Sequence, residues 1–396
     1  MLVDRLTDPD RATAILRDLV AIESVNPAYP GGRRGEVEVA RYFADYISRL
    51  GLVPKWQEVF PERTNVWAVI EAPGATRTIL FDSHMDTVTL EPIGQAMIEP
   101  TIREGRLFGR GACDDKGSLA AMIAMLPALL DRPDRLRTNV IVLATVDEEY
   151  NFAGINAFID RGPRVDAAVV GEPTDLRVVR AHKGALRWRL TTRGRNAHTS
   201  RPQEGINAIY HMLPVIEAMR TDLAARLTTR THPLLGSPTC TVAMIEGGTG
   251  FNIVPDSCTI GIDRRVLPTE TSEDVIAEIE EILARVRERH PEIDIVMGTP
   301  DDKGTGLDTP ADDPLVRLAE ETVNSVLGNG EAIGVPYGTH ASALSAAGVP
   351  SIVFGPGSIS VAHSPDESVP LEEVGLAAEL YARIAFAYGD QARGTK

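Results

Sequence analysis

Thr78-Ile79-Leu80-Phe81 runs directly into Asp82-Ser83-His84-Met85-Asp86. A short apolar run of strand character ends, and an imidazole and carboxylates follow at once. The arrangement recurs three times. Asn139–Val146 leads into Asp147-Glu148-Glu149, Ala167–Val170 into Gly171-Glu172-Pro173, and Ser351–Phe354 into Gly355-Pro356-Gly357 with His363 shortly after. Runs that are apolar on both faces and separated by helical stretches read as a mainly parallel sheet flanked by helices, an α/β fold. Ligands of such sheets bind beyond the carboxyl ends of the strands. Four strand ends therefore bring His or carboxylate groups to one edge. A fifth group, Gly111-Ala112-Cys113-Asp114-Asp115-Lys116-Gly117, precedes an apolar helix.

Working outward, helical spacing of apolar residues marks Asp8–Ile22 and Glu36–Leu50. The middle of the chain has a different texture. Ala185–Thr192 and Thr239–Ile245 alternate apolar and polar residues, and Ser257–Arg265 does so more loosely, as half-exposed antiparallel strands do. Helical patterns at Ile206–Leu227 and Ser272–Arg289 lie among them, and Asp294–Met297 supplies a last strand. This β-α-β-β-α-β order predicts a small α+β, ferredoxin-like domain at 182–298. It is inserted into a discontinuous catalytic domain formed by 1–181 and 299–396.

Composition narrows the function classes. The chain has 396 residues, 43% hydrophobic, so a large core needs no disulfide staples. Lys plus Arg number 40 and Asp plus Glu 56, a net charge of −16, which argues against nucleic acid or an anionic membrane as partner. Three widely spaced cysteines, Cys113, Cys240 and Cys258, suit a reducing cytoplasm. Early charges in the N-terminal stretch argue against a signal peptide. The longest apolar run, Leu119–Leu130, is too short to span a bilayer.

The residue types at the strand ends suit one chemistry. Two histidines and several carboxylates match the ligand preferences of zinc, though cobalt or manganese fits the same donors. A bridging carboxylate can hold two ions about 3.5–4 Å apart, polarising a carbonyl and acidifying a water. A carboxylate outside the ligand set must then carry the proton. The pair Glu148-Glu149 suits that division, one acid toward metal and one toward water. In His84-Met85-Asp86 the i, i+2 spacing puts both side chains on one face, so Asp86 can orient the His84 ring. The bland alternatives are a helix cap for Asp114 and a hydrogen-bonded structural role for His84.

At these residues the sequence resembles the zinc-dependent family of acetylornithine deacetylase, succinyl-diaminopimelate desuccinylase, aminoacylase and the glutamate carboxypeptidases. Ser83–Val88, Gly109–Gly117, Asp147–Glu149, Gly171–Thr174, Phe354–Gly357 and Ala362–Ser364 carry the resemblance in the family's order. It implies that Asp114 bridges two metal ions. His84 and Glu172 would complete one site, Glu149 and His363 the other. Glu148 would be the general acid/base and Asp86 the partner of His84. The inserted domain would be a lid and dimerisation element, giving a homodimer. Its His198 would reach the substrate carbonyl oxygen, in the same or the partner subunit, and stabilise the oxyanion. Asn252 and Arg265 match substrate-binding positions. Arg265 suits bidentate capture of a carboxylate, unless strand alternation turns Arg264 to the site instead.

Thr339, His340 and Gly357 would also line the substrate side. Many relatives have Gly-Thr-Asp-Ala where this chain has Gly338-Thr339-His340-Ala341, and His340 is expected near the substrate rim. If the usual Asp reads a cationic group, its loss weakens the case for a basic side chain such as ornithine. The expected activity is hydrolysis of the amide bond of an N-acyl amino acid, with an acetylornithine-type substrate as the default. A dipeptidase or carboxypeptidase would use the same machinery on a short peptide. A metal-stabilised binding protein without turnover would need no proton shuttle, and Glu148 argues against it.

Overall fold

The structure is a computed structural model that describes residues 5–302 and 304–390. In chain order the principal strands are β1 (Lys55–Phe60), β2 (Arg63–Ile70), β3 (Thr78–His84), β4 (Asn139–Thr145), β5 (Ala167–Val170), β6 (Val179–His182), β7 (Gly184–Arg193), β8 (Thr239–Gly247), β9 (Ser257–Val266), β10 (Asp294–Met297) and β11 (Ser351–Val353). The principal helices are α1 (Pro9–Val20), α2 (Val37–Arg49), α3 (Lys116–Leu130), α4 (Ala153–Arg161), α5 (Ala208–Ala218), α6 (Ser272–Arg289), α7 (Pro314–Leu327), α8 (Ala341–Ala346) and α9 (Leu371–Asp390).

Two compact units result. The first runs to Arg180 and resumes at Thr309–Ile333 and from Thr339 onward; the second is Ala181–Asp308 with Gly334–Gly338. In the first, β4, β3, β5 and β11 lie side by side in parallel register. The expected α/β architecture is thus present. β2 departs from the parallel pattern: it joins β4 antiparallel and forms a hairpin with β1, turning at Pro61-Glu62 with Glu62 at φ 67°. A tight hairpin connection cannot return a strand in the parallel sense.

The central strands are buried on both faces because helices cover both. α3 is apolar all round, and 13 of its 15 residues are buried, including Met122, Met125 and Leu126. A helix of that character belongs in a core. The apolar run Leu119–Leu130 is therefore the inner helix, packed against α1 and α9. No helix among the described residues is long and apolar enough to cross a membrane.

The second unit has the order β7-α5-β8-β9-α6-β10, with an antiparallel sheet arranged β8-β9-β7-β10. Alternation explains its single core face: Leu186, Trp188 and Leu190 of β7 and Ile260 and Ile262 of β9 pack against α5 and α6. α6 starts at a capping box, in which Thr271 Oγ1 accepts from Asp274 N–H and Asp274 accepts from Thr271 N–H.

Candidate metal centre and active site

The expected ligands of the first unit sit at a strand end, in a loop after one, or in the turn before α3. His84 is the last residue of β3 and is 1% exposed. Asp147, Glu148 and Glu149 follow β4, and Asp147 has φ 68°, a left-handed turn that swings the chain. As a result the two adjacent acids diverge. A Glu148 carboxylate oxygen lies within 4.8 Å of donor atoms of His84 and Glu172, while one of Glu149 gathers with Asp114 and His363. Glu172 follows β5 after Gly171, where a Cβ would fall 2.7 Å from Asp115 Oδ2 and 2.6 Å from Ser118 Cβ. Only glycine lets that strand end approach the Asp114-Asp115 turn.

Asp114 occupies the middle. Its Oδ1 is 2.9 Å from His84 Nε2 and its Oδ2 is 3.1 Å from His363 Nε2. His363 Nε2 is also 3.1 Å from Glu149 Oε1. The helix-cap alternative for Asp114 does not hold: the cap position is Asp115, which makes no capping hydrogen bond. His84 Nδ1 lies 2.9 Å from the Asp86 carbonyl oxygen and 3.5 Å from Asp86 Oδ1. The Asp86 carboxylate itself accepts hydrogen bonds from Glu148 N–H and Glu149 N–H, at 3.0 and 3.1 Å.

Charge explains why this constellation suits a cation. Four carboxylates, Asp114, Glu148, Glu149 and Glu172, converge here, and none pairs with Arg or Lys among the described residues. Burial, reinforced by Asp114 and Glu148, pushes Glu172 well above the usual carboxylate range. Burial does the same to Glu148, with Glu149 and Asp114 adding to it and His84 offsetting only part. Burial opposes ionisation of Asp114, but hydrogen bonds to His363 and His84 outweigh it and hold its carboxyl low. Burial works against a charged His363, yet Asp114 and Glu149 raise it to about 11. This unbalanced negative charge suits a divalent cation, and two imidazoles with carboxylates are a fitting donor set for it.

Residues that the sequence reading passed over support the ligands. Glu367 is 1% exposed; its Oε1 accepts from Cys113 N–H and Asp114 N–H, both at 3.2 Å, and its Oε2 pairs with Arg110. Asn26 donates to Asp86 Oδ2 at 2.8 Å and to Asp147 Oδ1 at 3.0 Å. Glu36 takes Arg63 in a two-point ion pair and accepts from Asp147 N–H. None belongs to a strand-end motif, so only their proximity in the fold reveals them.

Other expected substrate positions fall differently. His340 is buried rather than at a rim: it is 1% exposed, its Nδ1 is 2.9 Å from Asp82 Oδ2, and its ring meets Phe152 edge-on. The cause is Asp82, a buried carboxyl group inside β3 whose two oxygens meet the imidazole and Thr145 Oγ1. Thr339 is buried too, and its Oγ1 accepts from Ala341 N–H at the start of α8. Gly357 has φ 85°, and a Cβ there would lie 2.7 Å from Cys113 Sγ. It lets the loop after β11 close against the Asp114 turn.

His198, Asn252 and Arg265 belong to the second unit. His198 pairs with Ile253 in a short antiparallel ladder, Thr199 N–H donates to Asn252 O, and His198 Nδ1 is 2.7 Å from Ser200 Oγ. His198 and Asn252 are therefore neighbours, both exposed. Alternation along β9 separates the two arginines. Arg264 is fully buried and bound to Glu270, whereas Arg265 is partly exposed and pairs with Asp263.

The sequence profile of peptidase family M20/M25/M40 matches residues 80–387. The chain belongs to peptidase family M20/M25/M40. This M20 chain is 32% identical over 378 residues to acetylornithine deacetylase of Proteus mirabilis, covering 93% of its own length and 95% of that protein. Its fold matches a tripeptidase from Staphylococcus aureus with a TM-score of 0.78 at 20% identity, over 98% and 100% of the two chains. It matches an M20 family metallo-carboxypeptidase from Sulfolobus solfataricus with a TM-score of 0.77 at 20% identity, over 96% and 100%. The chain is accordingly a metal-dependent hydrolase of the amidohydrolase and peptidase kind, and the family resemblance read from its motifs holds.

Proposed function

We propose that this M20 enzyme hydrolyses the amide bond of an N-acyl amino acid at a centre of two divalent ions, zinc in the first instance. The observation that carries this is Asp114, whose two carboxylate oxygens face different histidines. His84, Asp114 and Glu172 would hold one ion, and Asp114, Glu149 and His363 the other. When bound, the ion pair polarises the scissile carbonyl and brings water toward a pKa of about 7. Glu148 takes the proton of the attacking water and returns it to the leaving nitrogen. Asp86 holds the backbone of the acid pair while its carbonyl orients His84. From the second unit, His198 would donate to the oxyanion, Asn252 would contact substrate, and Arg265 would bind its carboxylate. Thr339, His340 and Gly357 then support the site from within.

The acyl group and amino acid follow from the Proteus mirabilis relative, so N-acetylornithine is the first substrate to try. His340 is bound to Asp82 and leaves no carboxylate at that position for a cationic side chain. Neutral and acidic N-acyl amino acids therefore belong in the same panel, with N-succinyl and N-formyl compounds and simple dipeptides. Amine release that needs metal and stops with chelator, confined to N-acyl compounds, supports the proposal. Release from dipeptides alone would replace it with a dipeptidase or carboxypeptidase. No release from any member by protein carrying two ions would sink it.

The inserted unit is further proposed to make a homodimer. β8 pairs with β9 along one edge, its burial is slight, and Met244 and Ile245 are 48% and 60% exposed. Tyr210 and Leu213 on nearby α5 are 67% and 58% exposed. A long apolar edge strand is a template for a second copy. Sedimentation that finds only monomer at micromolar concentration would refute the dimer.

A further inference from the structure

We propose that Asn26 is a positioning residue for the Glu148-Glu149 turn; the inference rests on Glu148 being the proton carrier. Asn26 lies in the loop between α1 and α2, far in sequence from every strand-end motif, and it is 0% exposed. Its side-chain Oδ1 accepts from Ala28 N–H at 3.0 Å, which fixes the amide so that its two N–H groups face the other way. They donate to Asp86 Oδ2 and Asp147 Oδ1, at 2.8 and 3.0 Å. Those two carboxylates flank the acid pair. Asp86 accepts from Glu148 N–H and Glu149 N–H, and Asp147 is the left-handed residue immediately before them. One amide group thus spans both carboxylates that set the path of the turn.

A second tie comes from the same loop: Tyr29 Oη donates to the Glu149 carbonyl oxygen at 3.0 Å. Asn26 is itself anchored, with its N–H donating to Thr87 O at 2.9 Å beside Asp86. The loop therefore grips the turn from the N-terminal segment, at Asp86, at Asp147 and at Glu149. Donation, not bulk, is the property required. An aspartate at this position would match the shape but offer no proton, and would add a third carboxylate to two.

The test compares Asn26→Asp, Asn26→Ala and Tyr29→Phe in metal-loaded enzyme. For both Asn26 variants kcat should fall on the order of 100-fold, as misplacement by about an ångström can cause. KM should move less than about threefold and metal per chain should stay at the wild-type value. Hydrogen exchange of peptides covering 147–149 should quicken about tenfold or more. Tyr29→Phe should show the same pattern more weakly. Wild-type kcat and exchange in Asn26→Asp would overturn the proposal, because donation would then be unnecessary. A lowered melting temperature with kcat and local exchange intact would reduce Asn26 to a core residue, and loss of metal in step with kcat would make it a support of the ligands instead. If the wild type hydrolyses no amide, the functional reading fails, while the exchange measurement still decides whether Asn26 holds the turn.

Discussion

The two histidine clusters share Asp114 but are built differently. His84 ends a central strand, is 1% exposed, and has its second ring nitrogen against Asp86. His363 lies on a loop with φ 59°, its side chain is 49% exposed, and its ring nitrogen Nε2 meets Asp114 and Glu149. The same side chain is thus rigid in one cluster and accessible in the other. A ligand on a packed strand is held by the sheet, whereas a ligand on an exposed loop is held mainly by what it binds. The His363 side should therefore exchange its ion more readily.

The largest expected effect breaks both clusters at once. Asp114→Ala should abolish activity and lower metal content from about two ions per chain toward none, by elemental analysis, since one carboxylate serves both sites. Retention of two ions would show that Asp114 does not bridge. Glu148→Gln should reduce kcat by about 10²–10⁴-fold with metal content preserved, because it removes a proton carrier rather than a ligand. That variant is informative for a specific reason: a Glu148 oxygen stands within 4.8 Å of His84 and Glu172 donor atoms, as a ligand's would. Loss of an ion would move it into the ligand set.

Next come the two halves separately. Under slow chelation, His363→Ala should lose one ion and hold the other with near wild-type affinity, while His84→Ala should lose the ion the wild type releases last. Asp86→Asn should weaken metal binding or activity about 10–100-fold. Equal release rates from both sites in the wild type would remove the contrast drawn from exposure.

Proton uptake gives a smaller, graded effect. In the metal-free protein His84 and His363 are raised, the latter to about 11, so the folded state binds more protons than the unfolded chain. The stabilisation is complete below the unfolded histidine value of about 6.5 and is lost as pH climbs through the folded value. Raised Glu148 and Glu172 act in the same direction. The melting temperature of chelated protein should fall from pH 6.5 to pH 10, and zinc added at neutral pH should release protons. A flat profile without proton release would contradict the charge balance of the site.

The smallest effect concerns the second unit. Ile245→Lys on the exposed edge of β8 should leave stability within about 0.5 kcal/mol, as for most surface substitutions, while shifting sedimentation toward monomer. Activity lost together with the dimer would favour His198 acting on the partner's site.

Much was legible in the sequence because the informative signals are local. Apolar runs on both faces give the parallel strands, and the residues just after them share one edge by topology alone. The ordered motifs around His84, Asp114, Glu149, Glu172 and His363 identify the family. What the sequence left open was decided by contacts between distant segments. Alternation alone does not say which of Arg264 and Arg265 faces inward; Glu270 holds Arg264 in the core. Nothing in the local sequence buries His340; its partner is Asp82, 258 residues away. Asn26, Glu36 and Glu367 carry no motif, and they matter only because folding sets them against Asp86, Asp147 and Asp114. Sequence by itself determined the fold class and the donor types, since periodicity and residue chemistry are properties of short segments. Tertiary structure alone decided which groups hold those donors in place, because a buried charge must find its partner in space, wherever the chain supplies it.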